Sequence, residues 1–179
     1  MRKIIFCLIF VVLFLGFGFF MWSRLNSSMT SFDGNVFTST DFGIRFVLPQ
    51  GWDLFGTGLV DMFDAGNTVF SDISTVQGIF PHSIVRFEIN LYDMTEEEFI
   101  YDRTSMAESI EDFYFSSEKV QLGTHKWYMY SWSTTQGTNQ VYTMRFTMFG
   151  DGFTQTITIV YPNQEYLEII LDAFEPYGI

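Results

Sequence analysis

The chain has 179 residues, of which 20% are aromatic, and it carries a formal net charge of −12. All 21 acidic residues lie at Asp33 or later but only six of the nine basic residues do, so the chain from Asp33 onward has a net charge of −15. This charge excludes nucleic acid as an expected partner, because phosphate binding requires clustered Lys and Arg side chains, and it argues against adhesion to anionic lipid headgroups.

The N-terminus holds the longest apolar run. Ile4 to Trp22 are 19 residues without a charged side chain or a proline, and a helix of that length crosses most of a bilayer core of about 30 Å. Arg2 and Lys3 precede the run, which predicts that the N-terminus stays in the cytoplasm. We interpret residues 1–22 as a signal anchor, a single transmembrane helix that places the rest of the chain outside the cytoplasm at the cell membrane.

A cleaved signal peptide is the alternative, and the protein would then be secreted. The apolar region of a signal peptide usually has about 7–15 residues and ends in a small-residue cleavage site. Here the run is longer and no Ala-x-Ala follows it. Cys7, the single cysteine, lacks the small residues that a lipidation site needs just before it. We therefore expect a thiol buried in the membrane segment and an outer domain without disulfides.

Residues 23–34 are rich in Ser, Asn and Thr and are interpreted as a flexible linker with an end-to-end distance of roughly 20 Å. Residues 35–179 have the length of one domain. Within it, the run Phe42 to Trp52 predicts a strand that Pro49 ends, a turn at Gly51 and a tryptophan that folds back into the core. For residues 53–80 we expect a loop or short helix and then one or two strands.

Alternating apolar and polar residues predict a strand with one buried face over residues 84–92. The sequence Thr95 to Glu98 then matches a capping box, in which side chain and backbone satisfy each other's free N–H groups. Apolar residues recur at helical spacing after it, up to Phe113. The pattern predicts a helix over about residues 96–113.

A three-stranded meander is predicted next, with strands at Lys126–Ser133, Val141–Phe149 and Phe153–Tyr161. Pro162 ends the last strand because it cannot donate to a ladder. Asn163 is a candidate N-cap of a final amphipathic helix, and Pro176 is expected to stop it. Two helices on a largely antiparallel sheet make an α+β fold.

The run Leu48-Pro-Gln-Gly-Trp52 resembles the opening motif of the PsbP/Mog1-like fold, which often reads Leu-Pro-x-Gly-Trp. The later strand order and the closing helix are similar as well. The resemblance implies an antiparallel β-sheet flanked by helices, an α/β/α sandwich, over about residues 35–175. Bacterial members are commonly secreted or membrane-associated, and many have no known activity.

No set of residues matches a catalytic, cofactor or metal motif. His82 and His125 are the only histidines and are interpreted as strand-end or loop residues. The sequence has no His-Glu-x-x-His pair, no paired cysteines, no Gly-x-Ser-x-Gly and no phosphate-binding glycine loop. We therefore predict no catalytic residue, no cofactor-binding residue, no metal ligand and no cofactor.

Two sets of acidic residues are candidates for a catalytic or a calcium-binding site. Asp61 and Asp64 have the spacing of a pair across one helical turn, but no cleft around them is indicated, and paired-carboxylate catalysis needs one. The glutamates at 96–98 fit the first turn of a helix better than a calcium site. The methionines at 62, 94, 106, 129, 144 and 148 favour core packing over copper binding, since two of them alternate on an apolar strand face.

The strand at Lys126–Ser133 carries four aromatic residues. Tyr128, Tyr130 and Trp132 share one face, and Trp127 and Met129 share the other. If only one face is covered, the exposed rings form a surface for a glycan or a peptide; if helices cover both faces, the rings are core. The inferred sandwich favours core.

The sequence predicts a membrane-tethered extracytoplasmic binding or accessory module that contacts an envelope protein or ligand and is not an enzyme. The alternative is a carboxylate-dependent hydrolase that acts on an envelope polymer.

Overall fold

The computed structural model describes residues 30–58, 64–72, 83–91, 94–136, 138–150 and 153–178. The predicted anchor, Cys7, Asp61 and His82 lie outside these ranges. No helix in the described ranges is long and apolar enough to cross a membrane.

The described residues form two antiparallel sheets and two helices. In chain order the elements are β1 Thr30–Asp33, β2 Val36–Ser39, β3 Ile44–Val47, β4 Trp52–Gly58, β5 Asp64–Asp72, β6 Ile84–Leu91, α1 Glu96–Ser109, β7 Phe113–Leu122, β8 His125–Gln136, β9 Asn139–Phe149, β10 Phe153–Tyr161, α2 Gln164–Asp172 and β11 Phe174–Pro176. The large sheet has the order β4-β5-β6-β10-β9-β8-β7, and the small sheet has the order β1-β2-β3-β11. The antiparallel sheet with two helices confirms the predicted α+β class; the fold is mostly sheet, and the second sheet was not predicted.

The opening turn folds as the sequence predicts. Strand β3 ends before Pro49, whose carbonyl accepts a hydrogen bond of 3.0 Å from the Trp52 N–H. Gly51 has a φ of 87°, a conformation that glycine adopts at little steric cost. Trp52 is buried, with its ring 6.5 Å from that of Phe46. The interpretation of Trp52 as a core residue is confirmed.

Helix α1 begins at the predicted capping box. The Thr95 hydroxyl accepts from the Glu98 N–H at 3.2 Å, and a Glu98 carboxylate oxygen accepts from the Thr95 N–H at 2.7 Å. The helix ends at Ser109, four residues before the predicted end, because the chain turns there and Phe113 begins β7. The strand β7 itself was not predicted.

Four further predictions need correction. Residues 53–58 belong to strand β4, not to a loop or helix, and Asp64 lies in strand β5, so it is not part of a helical turn.

Helix α2 is capped by the Asn163 side chain as predicted. It ends at Asp172, however, and Pro176 lies in β11, which pairs with β3. Strand β1 falls within residues 23–34, the segment interpreted as a linker.

Two hydrophobic clusters lie on opposite faces of the large sheet. The main core lies between the large sheet and a layer made of the small sheet and α2. It includes Phe37 stacked on Phe87 at 4.4 Å and the fully buried Trp127. The second core lies under α1, where Phe99 packs on β7 and β8. Since both faces of β8 are covered, its aromatic residues divide between the two cores.

Candidate functional site

Three aromatic side chains follow one another on the α1 side of β8. Tyr128, Tyr130 and Trp132 are two residues apart, so the strand directs all three to the same face. Tyr128 and Tyr130 are buried, and Trp132 is half-buried. The prediction that this set is core is confirmed for the two tyrosines, whereas Trp132 retains an accessible edge.

Each of these rings has a cation near its face. Lys119 Nζ of β7 is 4.8 Å from the centroid of Tyr128, and Arg103 Cζ of α1 is 5.0 Å from that of Tyr130. Arg145 Cζ of β9 is 5.4 Å from the centroid of Trp132. We call these six residues the cation–aromatic row. It brings together half of the six basic residues found beyond Asp33, so the row is a local exception in an acidic domain.

One end of the row is a hydrogen-bonded cluster. The Tyr128 hydroxyl donates to Glu96 Oε1 at 2.7 Å, and Lys119 Nζ lies 2.8 Å from the same oxygen. The Lys119 ammonium and then the Tyr128 hydroxyl lower the pKa of the Glu96 carboxyl below its ordinary value. The Glu96 carboxylate raises the pKa of Lys119. Burial, and then Glu96, raise the pKa of Tyr128. The cluster therefore joins α1 to β7 and β8.

We expect this cluster to lose stability in acid. Because the folded-state pKa of Glu96 is lowered, its contribution is present at pH values above its ordinary pKa of 4.5 and is lost as the pH falls through the folded-state pKa. Glu96→Gln should lower the free energy of unfolding by about 1 kcal/mol at neutral pH, a small value because both partners are partly solvent-screened. At strongly acidic pH the variant and the wild type should differ little.

Urea unfolding at neutral and acidic pH measures this difference. Glu97→Gln is the matched control, because Glu97 lies in the same helical turn and is exposed. A loss of equal size in both variants would show that general helix electrostatics, not the cluster, is responsible.

The other end of the row is the accessible one. Trp132 stacks on Tyr130 at 5.9 Å and on Phe113 at 6.3 Å, with interplanar angles of 19° and 17°. Arg145 Nε donates to the Thr158 hydroxyl at 3.0 Å. Four ion pairs lie among the described residues, and none of them includes Arg145. The Arg145 guanidinium therefore lies near the Trp132 ring, and none of its N–H groups is paired with a described carboxylate.

The other residues considered from sequence do not gather into a site. His125 begins β8 as expected of a strand-end residue, with its ring 6.5 Å from that of Trp127. Met144 and Met148 pack against the main core, as predicted. No group of three or more His, Cys, Asp or Glu residues that could hold a metal ion occurs in the described part of the chain.

The sequence pattern of Val141–Phe149 already indicates the sheet face on which Arg145 lies. In Val141–Phe149 the apolar alternation assigned one set of residues to a core face. The remaining set, Thr143, Arg145 and Thr147, therefore had to point to the opposite face, the one that carries the β8 rings.

No family model and no curated protein sequence matches the chain. Among solved structures, it is similar to the cyanobacterial PsbP of Synechocystis, with 14% identity and a TM-score of 0.42 over 83% of this chain and 99% of that one. It is also similar to LpqN of Mycobacterium tuberculosis, described as involved in cell envelope biogenesis, with 14% identity and a TM-score of 0.42 over 73% of this chain and 76% of that one. The first of these structures is a PsbP, the family that the run Leu48–Trp52 resembles.

Proposed function

We propose that this chain is a membrane-tethered, extracytoplasmic binding or accessory module, and that its contact surface is the accessible end of the cation–aromatic row. The observation that carries the proposal is the pair Trp132 and Arg145. A half-buried tryptophan with a guanidinium near its ring supplies apolar contact area and charge-assisted donors together. Aromatic residues and arginine are the types enriched where proteins bind partners. The proposal assigns no catalytic reaction to the chain.

The tether is supported by the sequence of residues 1–22, which is long and apolar enough to span a bilayer and has its positive charge on the N-terminal side. The charge of −15 from Asp33 onward should keep the domain away from an anionic membrane surface. The contact surface is therefore expected to meet material in the envelope rather than lipid headgroups.

Photo-crosslinking tests the contact surface in cells. A photo-reactive residue in place of Trp132 should give adducts with envelope material, whereas the same residue in place of Tyr101 should give none. Tyr101 is a suitable control because it is an aromatic residue of α1 with 79% exposure. Adducts at neither position, or equally at both, would contradict the assignment of the surface.

Protease treatment of spheroplasts tests the location. A tag at the C-terminus of the full-length chain should be digested from outside while the remaining protein stays in the membrane fraction. A protected tag would overturn the extracytoplasmic placement. N-terminal sequencing of the mature protein separates the anchor from the cleaved, secreted alternative.

A further inference from the structure

The surface next to Trp132 extends across three more strands. Arg145 of β9, Thr158 of β10 and Arg86 of β6 are partners in the register, so their side chains share the face that carries the β8 rings. The two arginines are two strand spacings apart, roughly 10 Å between Cα atoms. We call Trp132, Arg145, Thr158, Arg86 and Thr147 the arginine surface.

Two polar groups of this surface have capacity for a ligand. Arg145 Nε donates a hydrogen bond to the Thr158 hydroxyl. The two terminal nitrogens of Arg145 have no carboxylate partner among the described residues. Thr147 lies two residues from Arg145 on the same face. Thr147 is only 4% exposed, and its hydroxyl has no hydrogen-bond partner in the part of the chain that the structure describes. A buried hydroxyl without a protein partner is costly, so a water or a ligand hydroxyl is its expected partner.

We propose that the arginine surface binds the carboxylate of an acidic sugar, an inference that rests on the binding function proposed above. A guanidinium fork fits a carboxylate with two parallel hydrogen bonds. The accessible edge of the Trp132 ring offers apolar contact to a sugar ring bound at Arg145, and the threonine hydroxyls match sugar hydroxyls in hydrogen-bonding capacity.

The charge of the surface favours a monoanion. Arg86 Nη1 lies 3.6 Å from Glu88 Oε1, and Arg103, over the neighbouring Tyr130 ring, lies 3.4 Å from Asp102 Oδ2. Each of these two arginines is paired with an acid, so Arg145 supplies the remaining positive charge next to Trp132. A carboxylate neutralises that charge, whereas a phosphate dianion would leave an excess of negative charge next to Glu88.

The position of the surface disfavours a peptide. Peptides that bind sheets do so by adding a strand at an edge, where backbone groups are free. Strands β9 and β10 are interior strands of the large sheet, so their backbone groups already pair with neighbouring strands. Only side chains are available on this face.

Calorimetry on the full-length chain in zwitterionic nanodiscs tests the proposal with three probes: a galacturonic acid trimer, a galactose trimer and a glutamate trimer. We expect the uronic acid trimer to bind at least about tenfold more tightly than the other two, since a hydrogen bond to a charged group is worth that much or more. Equal binding of the galactose trimer would overturn the role of the carboxylate. Equal binding of the glutamate trimer would overturn the sugar.

Three variants localise the binding. Arg145→Met should weaken uronic acid binding by about 10- to 100-fold, and Glu88→Gln should strengthen it by removing a nearby negative charge. Arg45→Met should leave it unchanged, because Arg45 lies in the small sheet and pairs with Glu175. If Arg145→Met fails to fold by circular dichroism, Arg145→Lys, which keeps the charge but loses the fork, should still weaken binding.

Wild-type affinity in the Arg145 variants, or no binding of any probe, would overturn the sugar proposal. If adducts still form at position 132 in that case, the binding function remains and only its ligand is wrong. If no adducts form either, the binding function itself fails.

Discussion

Replacing Gly123 with alanine is expected to destabilise the protein by about 2–5 kcal/mol, because this residue is both in a left-handed conformation and pressed against another backbone. Gly123 has a φ of +62° in the turn between β7 and β8. A Cβ atom there would lie 2.4 Å from the Gly43 carbonyl oxygen and 2.3 Å from Ile44 Cγ2. The contact with Gly43 is to main chain, so it cannot be relieved by rotating a side chain.

The position matters because the Gly43 carbonyl joins three parts of the fold. It accepts hydrogen bonds from the Thr124 N–H at 2.9 Å, from the Thr124 hydroxyl at 3.2 Å and from the Tyr177 N–H at 3.1 Å. These bonds connect the loop before β3 to the turn of the large sheet and to the C-terminal segment. Displacing the carbonyl to admit a methyl group would weaken all three.

Gly34→Ala is the matched control for this prediction. Gly34 has a φ of +61°, and a Cβ atom there would meet no atom of the described residues within 4 Å. Gly34→Ala should therefore lower the free energy of unfolding only by the cost of placing alanine in a left-handed conformation, about 1–2 kcal/mol. Urea unfolding of the full-length chain in detergent, followed by far-ultraviolet circular dichroism, compares the two variants. Equal losses would mean that the close approach of Gly123 to Gly43 does not limit the packing of the two layers.

Local patterns made part of this fold predictable from sequence. The capping box at Thr95 and Glu98, the cap at Asn163 and the alternation in β6 and β9 each involve residues within a few positions of one another. Propensity, side-chain hydrogen bonding and burial agree in these segments, so the sequence specifies them directly.

The strand β7 was missed because its pattern is broken. A register shift lies between Ser116 and Val120, opposite β8, and a bulge of this kind disrupts the alternation of faces. Phe113 also continued the helical spacing of α1, so periodicity alone placed it in the helix. The small sheet depends on β11 pairing with β3, more than 120 residues earlier in the chain, a contact that no local pattern encodes.

The candidate site was hidden for a related reason. Arg145 is the direct partner of Tyr130, whereas Trp132 pairs with Thr143. The guanidinium reaches the Trp132 ring diagonally, and such a contact is known only once the strand register is known. Arg103 comes to Tyr130 from a different element altogether. The sequence thus predicted the ring row but not the cations that accompany it.

Replacing Trp127 with alanine should have the other large effect, a loss of about 3–5 kcal/mol in the free energy of unfolding. Trp127 is fully buried in the main core, stacked nearly parallel to Phe42 at a centroid distance of 6.2 Å. Its indole N–H donates to the Leu122 carbonyl at 3.0 Å. The variant would lose apolar contacts with the small-sheet layer and leave that carbonyl without its donor.

Two further substitutions separate these contributions. Trp127→Phe keeps most of the apolar volume but removes the N–H, so it should cost about 0.5–1.5 kcal/mol, the net contribution of one hydrogen bond to a half-buried residue. Trp132→Ala makes the same chemical change as Trp127→Ala on the opposite face of the same strand. It should cost less because Trp132 is half-buried. Since single domains are stable by about 5–15 kcal/mol in total, Trp127→Ala alone should shift the urea midpoint strongly. A loss no larger than that of Trp132→Ala would show that the small sheet and α2 contribute little to holding the main core together.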